Sequence, residues 1–260
     1  MAIITLTSDW GTKDPYAAVV KGTILQILPQ ATIVDISHGI PPFNLHHASF
    51  VVKNAYHHYP AGTIHIIDLN SDTPAKSKYT LVLAEEQYFI APDNGIFSLI
   101  FDKNPTRIFE IIVPDPVKSS TFIAKDLFVP VACRLAQGAD PEEVGVKTDA
   151  LSQRVSFAPT VDANVIRGKV VYVDAYENAF LNISEELFRK VGRGRPFTIF
   201  FRTLDNAVQK ISKSYNDVPE GDILAIFSTT GLLEIAINKG NASGLLGLKT
   251  DEMVRIEFRD

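Results

Sequence analysis

The sequence predicts an α/β N-terminal domain, built on a central and mostly parallel sheet, followed by a small C-terminal β-barrel domain. Short apolar strands alternate with helical patterns in the first half, which is typical of a parallel sheet covered on both faces. The second half is rich in strands with little helix between them, as in a small barrel or sandwich. A chain of 260 residues is long enough for two modest domains. We place them at 1–157 and 164–260, because Pro159, Asp162 and Asn164 break the periodicity between them.

Apolar spacing gives the elements of both halves. Val20, Ile24 and Leu28 recur at helical spacing and predict a helix over 16–28, which Pro29 ends. Further helices are expected over 45–59 and 126–137. The predicted strands cover 3–8, 31–36, 63–68, 79–83, 88–91, 108–113, 165–173, 197–202, 223–228, 233–237 and 253–258.

Composition excludes several classes of function. The net charge is -5 and acids and bases are interleaved without a basic stripe, so nucleic acid is not an expected partner. The N-terminus enters a strand pattern at once, and no apolar run is long enough to span a bilayer, which predicts a soluble cytoplasmic protein. The single cysteine, Cys133, lies in an apolar run without a nearby histidine or cation, so a buried and inert thiol is expected.

Two carboxylates follow the first predicted strand directly. Asp9 and Asp14 lie where that strand ends and a helix begins, the edge at which open α/β sheets bind ligands. A carboxylate at this edge can accept both hydroxyls of a ribose diol, and we favour that role for Asp9. For Asp14, capping of the following helix is an equally good interpretation. Gly11 is the only glycine of this turn, so a phosphate-binding loop is absent and a nucleoside would be held by its sugar and base.

Other polar segments are weaker signals. Asp93-Asn94 precedes a glycine and is as typical of a tight turn as of a ligand site. The segment 174–178 ends a strand and combines an acid, an aromatic ring and an amide, which suits an amino group and a stacked base. The segment 228–236 is also consistent with a plain hairpin turn. His46 and His57 share a helix face but lie about 16 Å apart, too far for one metal ion, so no metal site is predicted.

Taken together, these segments resemble the S-adenosylmethionine hydroxide adenosyltransferase family, which is related to the fluorinase and chlorinase. Residues 8–22 resemble the family's T-D-F-G-x-x-D-x-Y opening and its following K-G, and 33–43 resemble V-D-I-T-H-x-I-P-P-F. Residues 91–98, 174–178 and 231–238 resemble A-P-D-N-G, D-x-F-G-N and G-x-L-E-I-A-x-N. The resemblance implies an α/β domain and a β-barrel domain, a homotrimer, and S-adenosylmethionine bound as substrate between the N-domain of one subunit and the C-domain of the next, without a cofactor.

The resemblance also implies a set of site residues. The acid of the family's Asp-Arg-His set is retained as Asp68, which we assign as the catalytic residue. The substrate-binding residues that we assign are Asp9, Asp14, Tyr16, Phe43, Ser71, Asp93, Asn94, Asp174, Tyr176, Asn178, Thr229 and Thr230.

The departures from the family pattern limit the predicted activity. Ala75 stands at the Arg position and Ile123 at the His position, while Lys76, Lys78 and Lys125 are candidates to replace the lost cation. The fluorinase has a Tyr where Asp68 stands and a Ser where Ala124 stands, so its version of the site is not matched either. We therefore expect slow displacement at ribose C5′ that gives adenosine and methionine. The alternatives are a non-catalytic protein that binds adenosine or S-adenosylmethionine, and a diverged protein with another ligand.

Overall fold

The structure, a computed structural model, describes residues 2–69, 77–155, 157–201 and 203–259. The chain divides into two compact units, Met1–Val155 and Ser156–Asp260. The predictions that concern Ser71, Ala75 and Lys76 lie outside the described residues.

The first unit is built on a mixed sheet. Its strands are β1 Ile3–Ser8, β2 Thr32–Ser37, β3 Ile64–Asp68, β4 Tyr79–Ala84, β5 Gln87–Pro92, β6 Arg107–Ile111 and β7 Gly145–Thr148. They are ordered β2-β1-β3-β5-β4-β6-β7.

Parallel pairing covers only one half of this sheet. β1 pairs in parallel with β2 and β3, and β3 with β5, whereas β4–β5, β4–β6 and β6–β7 are antiparallel. The change occurs because Glu85 and Glu86 both adopt positive φ, 48° and 59°, and join β4 to β5 in a two-residue hairpin turn. The α/β class is confirmed, but a mostly parallel sheet is not.

Helices cover both faces of the sheet. They are α1 Tyr16–Ile27, α2 Leu45–Tyr56, α3 Ile96–Ile100, α4 Val129–Ala136 and α5 Pro141–Val144, with a 3₁₀ turn at Asp115–Ser119 and a π-helical segment at Ala124–Phe128 that runs into α4. The predicted helix over 126–137 therefore begins earlier, with a π-helical segment of a kind frequently found at functional sites.

The alternation of side chains along β3 decides where Asp68 points. Ile64 and Ile66 pack in the core that contains residues of α1 and α4, whereas Ile67 and Leu69 pack in the core on the α2 face. Because side chains alternate along a strand, Asp68 shares the face of Ile64 and Ile66. The carboxylate therefore emerges at the end of the face that α1 and the π-helical segment cover.

The second unit is a strongly curved sheet. Its strands are β8 Thr160–Val161, β9 Val165–Val173, β10 Ala179–Ser184, β11 Phe197–Phe201, β12 Thr203–Val208, β13 Ile211–Ser212, β14 Ile223–Phe227, β15 Leu232–Ile237 and β16 Met253–Phe258. The order is β12-β11-β16-β9-β10-β15-β14-β13, with β8 paired to β9. β12 at one end contacts β14 near the other, so the sheet is nearly barrel-shaped around a core of apolar side chains such as Leu181 and Ile235.

Two helices accompany this sheet, α6 Glu185–Gly192 and α7 Ala242–Leu246. Ser184 caps α6 by accepting the backbone N–H of Leu187, and Phe188 packs its ring edge-on against Phe197, Phe227 and Phe258. The prediction of many strands with little helix agrees with this arrangement, although the sequence did not indicate α6, whose apolar face closes one side of the core. No helix within the described ranges is long and apolar enough to cross a bilayer.

Candidate active site

A buried carboxylate held by an indole forms the centre of the candidate site. Asp68 ends β3 and is 3% exposed. The Nε1–H of Trp10, two residues beyond the end of β1, donates to Asp68 Oδ2 at 3.1 Å. A hydrogen bond to an ionised carboxylate is stronger than one between neutral groups. The acid is thus fixed at the carboxyl edge of adjacent parallel strands, where α/β sheets bind their ligands.

Aromatic rings fix the indole in turn. Trp10 stacks on His38 with ring centroids 5.7 Å apart and planes at 14°, and Phe122 meets it edge-on at 5.4 Å. Phe122 also meets Tyr16 edge-on at 5.4 Å, so the predicted site residue Tyr16 borders the same wall. Gly11 adopts φ 69° and donates its N–H to the carbonyl of His38 at 2.8 Å, which closes the turn that carries Trp10.

A chain of polar contacts lies behind Trp10. Ser8 Oγ lies 2.6 Å from Nδ1 of the buried His38, and Asp35 Oδ1 lies 3.1 Å from its Nε2. Lys21 Nζ donates to the other oxygen of Asp35 at 2.5 Å. Partial burial raises the pKa of Asp35, but hydrogen bonds and charge from Lys21 and His38 outweigh it and lower that pKa below its ordinary value. Asp35 is therefore ionised at neutral pH.

Sequence reasoning missed Trp10, Ser8 and His38 as members of the site, although all three lie in the quoted segments. The available signal was positional, because Ser8 ends β1 and His38 follows β2 directly. Neighbouring parallel strands bring their carboxyl ends to one edge of the sheet. Of the two histidines considered as metal ligands, His46 lies on α2 and His57 follows its end, where it lies 3.0 Å from Glu85 at the surface.

Asp9, the residue predicted to bind the ribose, is held by a backbone hydrogen bond. Asp9 Oδ2 accepts the N–H of Phe43 at 2.9 Å, and Phe43 adopts an uncommon positive φ of 64° while its side chain is 70% exposed. Asp14 is exposed, and α1 begins after Pro15 without a side-chain capping bond. Helix capping therefore does not account for Asp14, and its ligand role stays a prediction.

Asp93 and Asn94 have structural partners. Asp93 accepts the backbone N–H and the hydroxyl of Ser152 at 2.9 and 3.0 Å. Asn94 donates from Nδ2 to the carbonyl of Leu69 at 2.9 Å and accepts the N–H of Ile96 at 3.2 Å. These bonds support the turn interpretation, and they also fix the backbone that follows Asp68.

Two positions that differ from the family pattern, Ile123 and Ala124, are apolar and buried, whereas Ala75 lies outside the described residues. Ile123 is 2% exposed and Ala124 is fully buried, and both belong to the core on the Asp68 face of the sheet. Two of the three candidate replacement cations lie beside other acids, since Lys78 is 2.7 Å from Glu110 and Lys125 is 3.0 Å from Asp126, and the third, Lys76, lies outside the described residues. Trp10 thus donates an indole N–H to Asp68, while Lys78 and Lys125 each form an ion pair with another carboxylate.

In the second unit, Asp174 organises its own loop. It accepts the N–H of Tyr176 at 2.9 Å and the backbone and side-chain N–H groups of Asn178 at 2.8 and 3.3 Å. Tyr176 itself is 80% exposed. The buried Glu234 lies nearby and accepts the Tyr215 hydroxyl at 2.8 Å. Burial, and then the charge of Asp174, raise the pKa of Glu234 above its ordinary value.

The predicted substrate-binding residues of the second unit do not all lie close together. Asn178 precedes the start of β10, where Ala179 pairs with Ile235 on β15. Thr229 and Thr230 form the turn between β14 and β15, whose Gly231 carbonyl accepts the N–H of Glu185 just beyond the other end of β10. The structure therefore places the two predicted groups at opposite ends of β10.

Cysteine and metal chemistry receive no support at this site. Cys133 is 1% exposed, which confirms the prediction of a buried thiol, and burial raises its pKa to about 11, which disfavours the reactive thiolate. Across the ranges that the structure describes, no group of three or more His, Cys, Asp or Glu residues is arranged to hold a metal ion.

Comparison with known proteins shows which family the chain resembles. Residues 4–145 match the N-terminal domain of SAM (S-adenosylmethionine) hydroxide adenosyltransferase, and residues 168–255 match its C-terminal domain. The chain belongs to this family. It is 28% identical to the (R)-S-adenosyl-L-methionine hydrolase of Thermus thermophilus, over 98% of this chain and 100% of that protein. The hydrolase of the same name from Methanocaldococcus jannaschii is 30% identical, over 98% of this chain and 96% of that protein.

A halide-using enzyme and a solved structure are also similar to this family member. The fluorinase of Actinopolyspora mzabensis is 24% identical, over 98% of this chain and 96% of that protein. The crystal structure of an uncharacterized conserved protein from Thermotoga maritima superposes with a TM-score of 0.88 at 30% identity, covering 98% of this chain and 99% of that one. The relatives named as hydrolases agree with the prediction of a hydrolase-like enzyme.

Proposed function

We propose that this chain hydrolyses S-adenosylmethionine at ribose C5′, giving adenosine and methionine, with Asp68 as the residue that activates the attacking water. The observation that carries the proposal is the buried Asp68, held by the Trp10 N–H at the carboxyl edge of β3. Membership of the adenosyltransferase family and similarity to proteins named S-adenosylmethionine hydrolases support the substrate.

The chemistry requires one proton acceptor and a water-poor site. The water oxygen bonds to C5′ while the C5′–sulfur bond breaks. The electron pair of the C5′–sulfur bond stays on the sulfur, which leaves as methionine. One water proton passes to Asp68. Because an anion-like nucleophile approaches a sulfonium cation, charge separation falls in the transition state and a dry, preorganised site favours the reaction over bulk water. General-base assistance of this kind contributes about 10²–10⁴ in rate.

The proposed rate is lower than that of relatives with the complete Asp-Arg-His set. Ile123 presents an apolar, buried side chain where the family has an imidazole, and Ala75 removes the guanidinium. The same burial of Ile123 and Ala124 favours one second candidate, a protein that binds adenosine or S-adenosylmethionine without turning it over. Activity and binding measurements separate the two.

The proposed substrate-binding groups come from both units, and the proposed assembly is a homotrimer in which neighbouring subunits complete each site. The exposure of Phe43 and Tyr176, at 70% and 80%, supports roles in contact with a ligand or a neighbouring subunit, because large aromatic side chains gain most from burial. Asp9 is proposed to bind the ribose hydroxyls, and Asp174 and Asn178 to bind polar groups of the substrate.

The deciding experiment is incubation of the purified protein with S-adenosylmethionine, with adenosine and methionine followed by chromatography. We expect equal amounts of both products above a protein-free blank, and a rate about 10²–10⁴ lower in Asp68→Asn. The matched control is Asp102→Asn, since Asp102 is a surface acid with a side chain that is 83% exposed. Binding without product supports the second candidate, and absence of both rejects the two.

A further inference from the structure

Three residues, Ser8, Asp35 and His38, form a cluster against the face of the Trp10 indole. We call this cluster the support of Trp10. His38 is 6% exposed, Ser8 Oγ lies 2.6 Å from its Nδ1, and the Asp35 carboxylate lies 3.1 Å from its Nε2. The contact with Ser8 at one ring nitrogen and the Asp35 carboxylate beside the other restrict rotation of the ring. A histidine held in this way provides a rigid surface for whatever stacks on it.

The indole of Trp10 lies on that surface. Its plane is within 14° of the His38 ring, and the backbone is tied at the same place, because Gly11 donates to the His38 carbonyl at 2.8 Å and Trp10 N–H reaches Ser8 Oγ at 3.5 Å. The edge of the indole then directs Nε1–H to Asp68. The orientation of this donor is therefore determined on one face by His38 and on its edge by Phe122.

Strand register brings the support close to the acid. Ser8 is the register partner of Asp68 across β1 and β3, so both side chains lie on the same face of the sheet. The register pair Thr5 and His65 shows how close such partners lie, since Thr5 Oγ1 is 2.7 Å from His65 Nδ1. Ser8 and His38 thus lie beside the carboxylate that Trp10 holds.

We propose that His38 is a positioning residue for the hydrolysis, acting through Trp10, and that Ser8 and Asp35 hold its ring in the orientation that aims the indole N–H at Asp68. This role rests on the proposed function. It predicts that loss of the support lowers kcat and leaves KM nearly unchanged, because His38 is buried behind the indole. Misplacement of a catalytic group by about 1 Å can cost about 100-fold in rate.

The test is a double-mutant cycle with a spectroscopic readout. The variants are His38→Ala, His38→Phe, which keeps a stacking ring, and Asp35→Asn at a partly exposed position whose side chain is 40% exposed. Each is made in the parent and in Trp10→Phe, and kcat and KM for S-adenosylmethionine are measured. Because Trp10 is the only tryptophan of the chain, its fluorescence reports directly on the stacked pair. His58→Ala, at an exposed histidine, is the matched control.

We expect His38→Ala to lower kcat by roughly ten- to a hundredfold and to change the Trp10 emission, with smaller losses in His38→Phe and Asp35→Asn. In the Trp10→Phe background the same substitutions should have little further effect on kcat, because coupled residues are not additive. The positioning role alone would be overturned if the His38 substitutions lowered kcat by the same factor in the parent and in Trp10→Phe. It would also be overturned if they left kcat unchanged in an active parent protein. A parent that forms no adenosine overturns the proposed function and this role together.

Discussion

Replacing Trp10 by Phe tests whether the indole N–H matters for the chemistry. The substitution keeps an aromatic ring against His38 and Phe122 and removes the donor that lies 3.1 Å from Asp68 Oδ2. A hydrogen bond to a charged group contributes about 1.5–3 kcal/mol. Since about 1.4 kcal/mol corresponds to a factor of ten, complete loss of this stabilisation lowers kcat by roughly 10- to 150-fold.

The assay is steady-state formation of adenosine by the parent, Trp10→Phe, Asp68→Asn and the double variant, with urea unfolding of each as a check on folding. We expect Trp10→Phe to lower kcat with little change in KM, and to add almost nothing in the Asp68→Asn background, because the two groups form one interaction. A kcat within twofold of the parent in a folded Trp10→Phe protein would refute the assignment of the indole as the partner that matters to Asp68.

Three further predictions concern stability, binding and the altered site. Burial lowers the pKa of His65 from 6.5 to about 4, so the unfolded chain binds a proton first and the free energy of unfolding should fall by about 3 kcal/mol from pH 6.5 to pH 4. Urea titrations should show this loss in His58→Gln but not in His65→Gln. Asp9→Ala should weaken S-adenosylmethionine binding by about 1.5–3 kcal/mol in calorimetry, whereas Asp102→Ala should bind like the parent. Ala75→Arg combined with Ile123→His should raise turnover at least about tenfold, and a parent as fast as this variant would contradict the interpretation of both positions as losses.

A further prediction is that the protein is a homotrimer in solution. Light scattering at micromolar concentration should give three times the chain mass of 28.7 kDa. A monomeric mass would contradict the proposal that neighbouring subunits complete each site.

The α/β character, and the position of Asp68 and Trp10 at the carboxyl edge of the sheet, could be predicted because they depend on local patterns. Apolar runs predicted β1 and β3, and the carboxylates that follow β1 indicated which edge of the sheet binds a ligand. The pairing of β4 with β5 could not be predicted as a break in parallel order, since Glu85 and Glu86 are poor indicators of a turn that requires positive φ at both positions. α6 was missed although Ser184 and the two acids after it form a helix-start signal, because only eight residues carry its pattern.

The partners of Asp68 depend on tertiary structure. Nothing in the spacing of Trp10 and Asp68, which are 58 positions apart, indicates a hydrogen bond between them until β1 and β3 pair in register. His38 joins them only because β2 lies on the other side of β1. The role of Asp93 was ambiguous for a related reason, since its partner Ser152 is equally remote in sequence.

Attack of water at ribose C5′ is tested most directly by turnover in ¹⁸O-labelled water with mass spectrometry of the adenosine formed. Hydrolysis at C5′ places one labelled oxygen in the 5′-hydroxyl of every adenosine molecule, and Asp68→Asn should form such adenosine at a much lower rate. Unlabelled adenosine, or cleavage at another bond of the substrate, would contradict attack of water at C5′. Labelled adenosine formed equally fast by Asp68→Asn would contradict the assignment of Asp68 as the residue that activates the water.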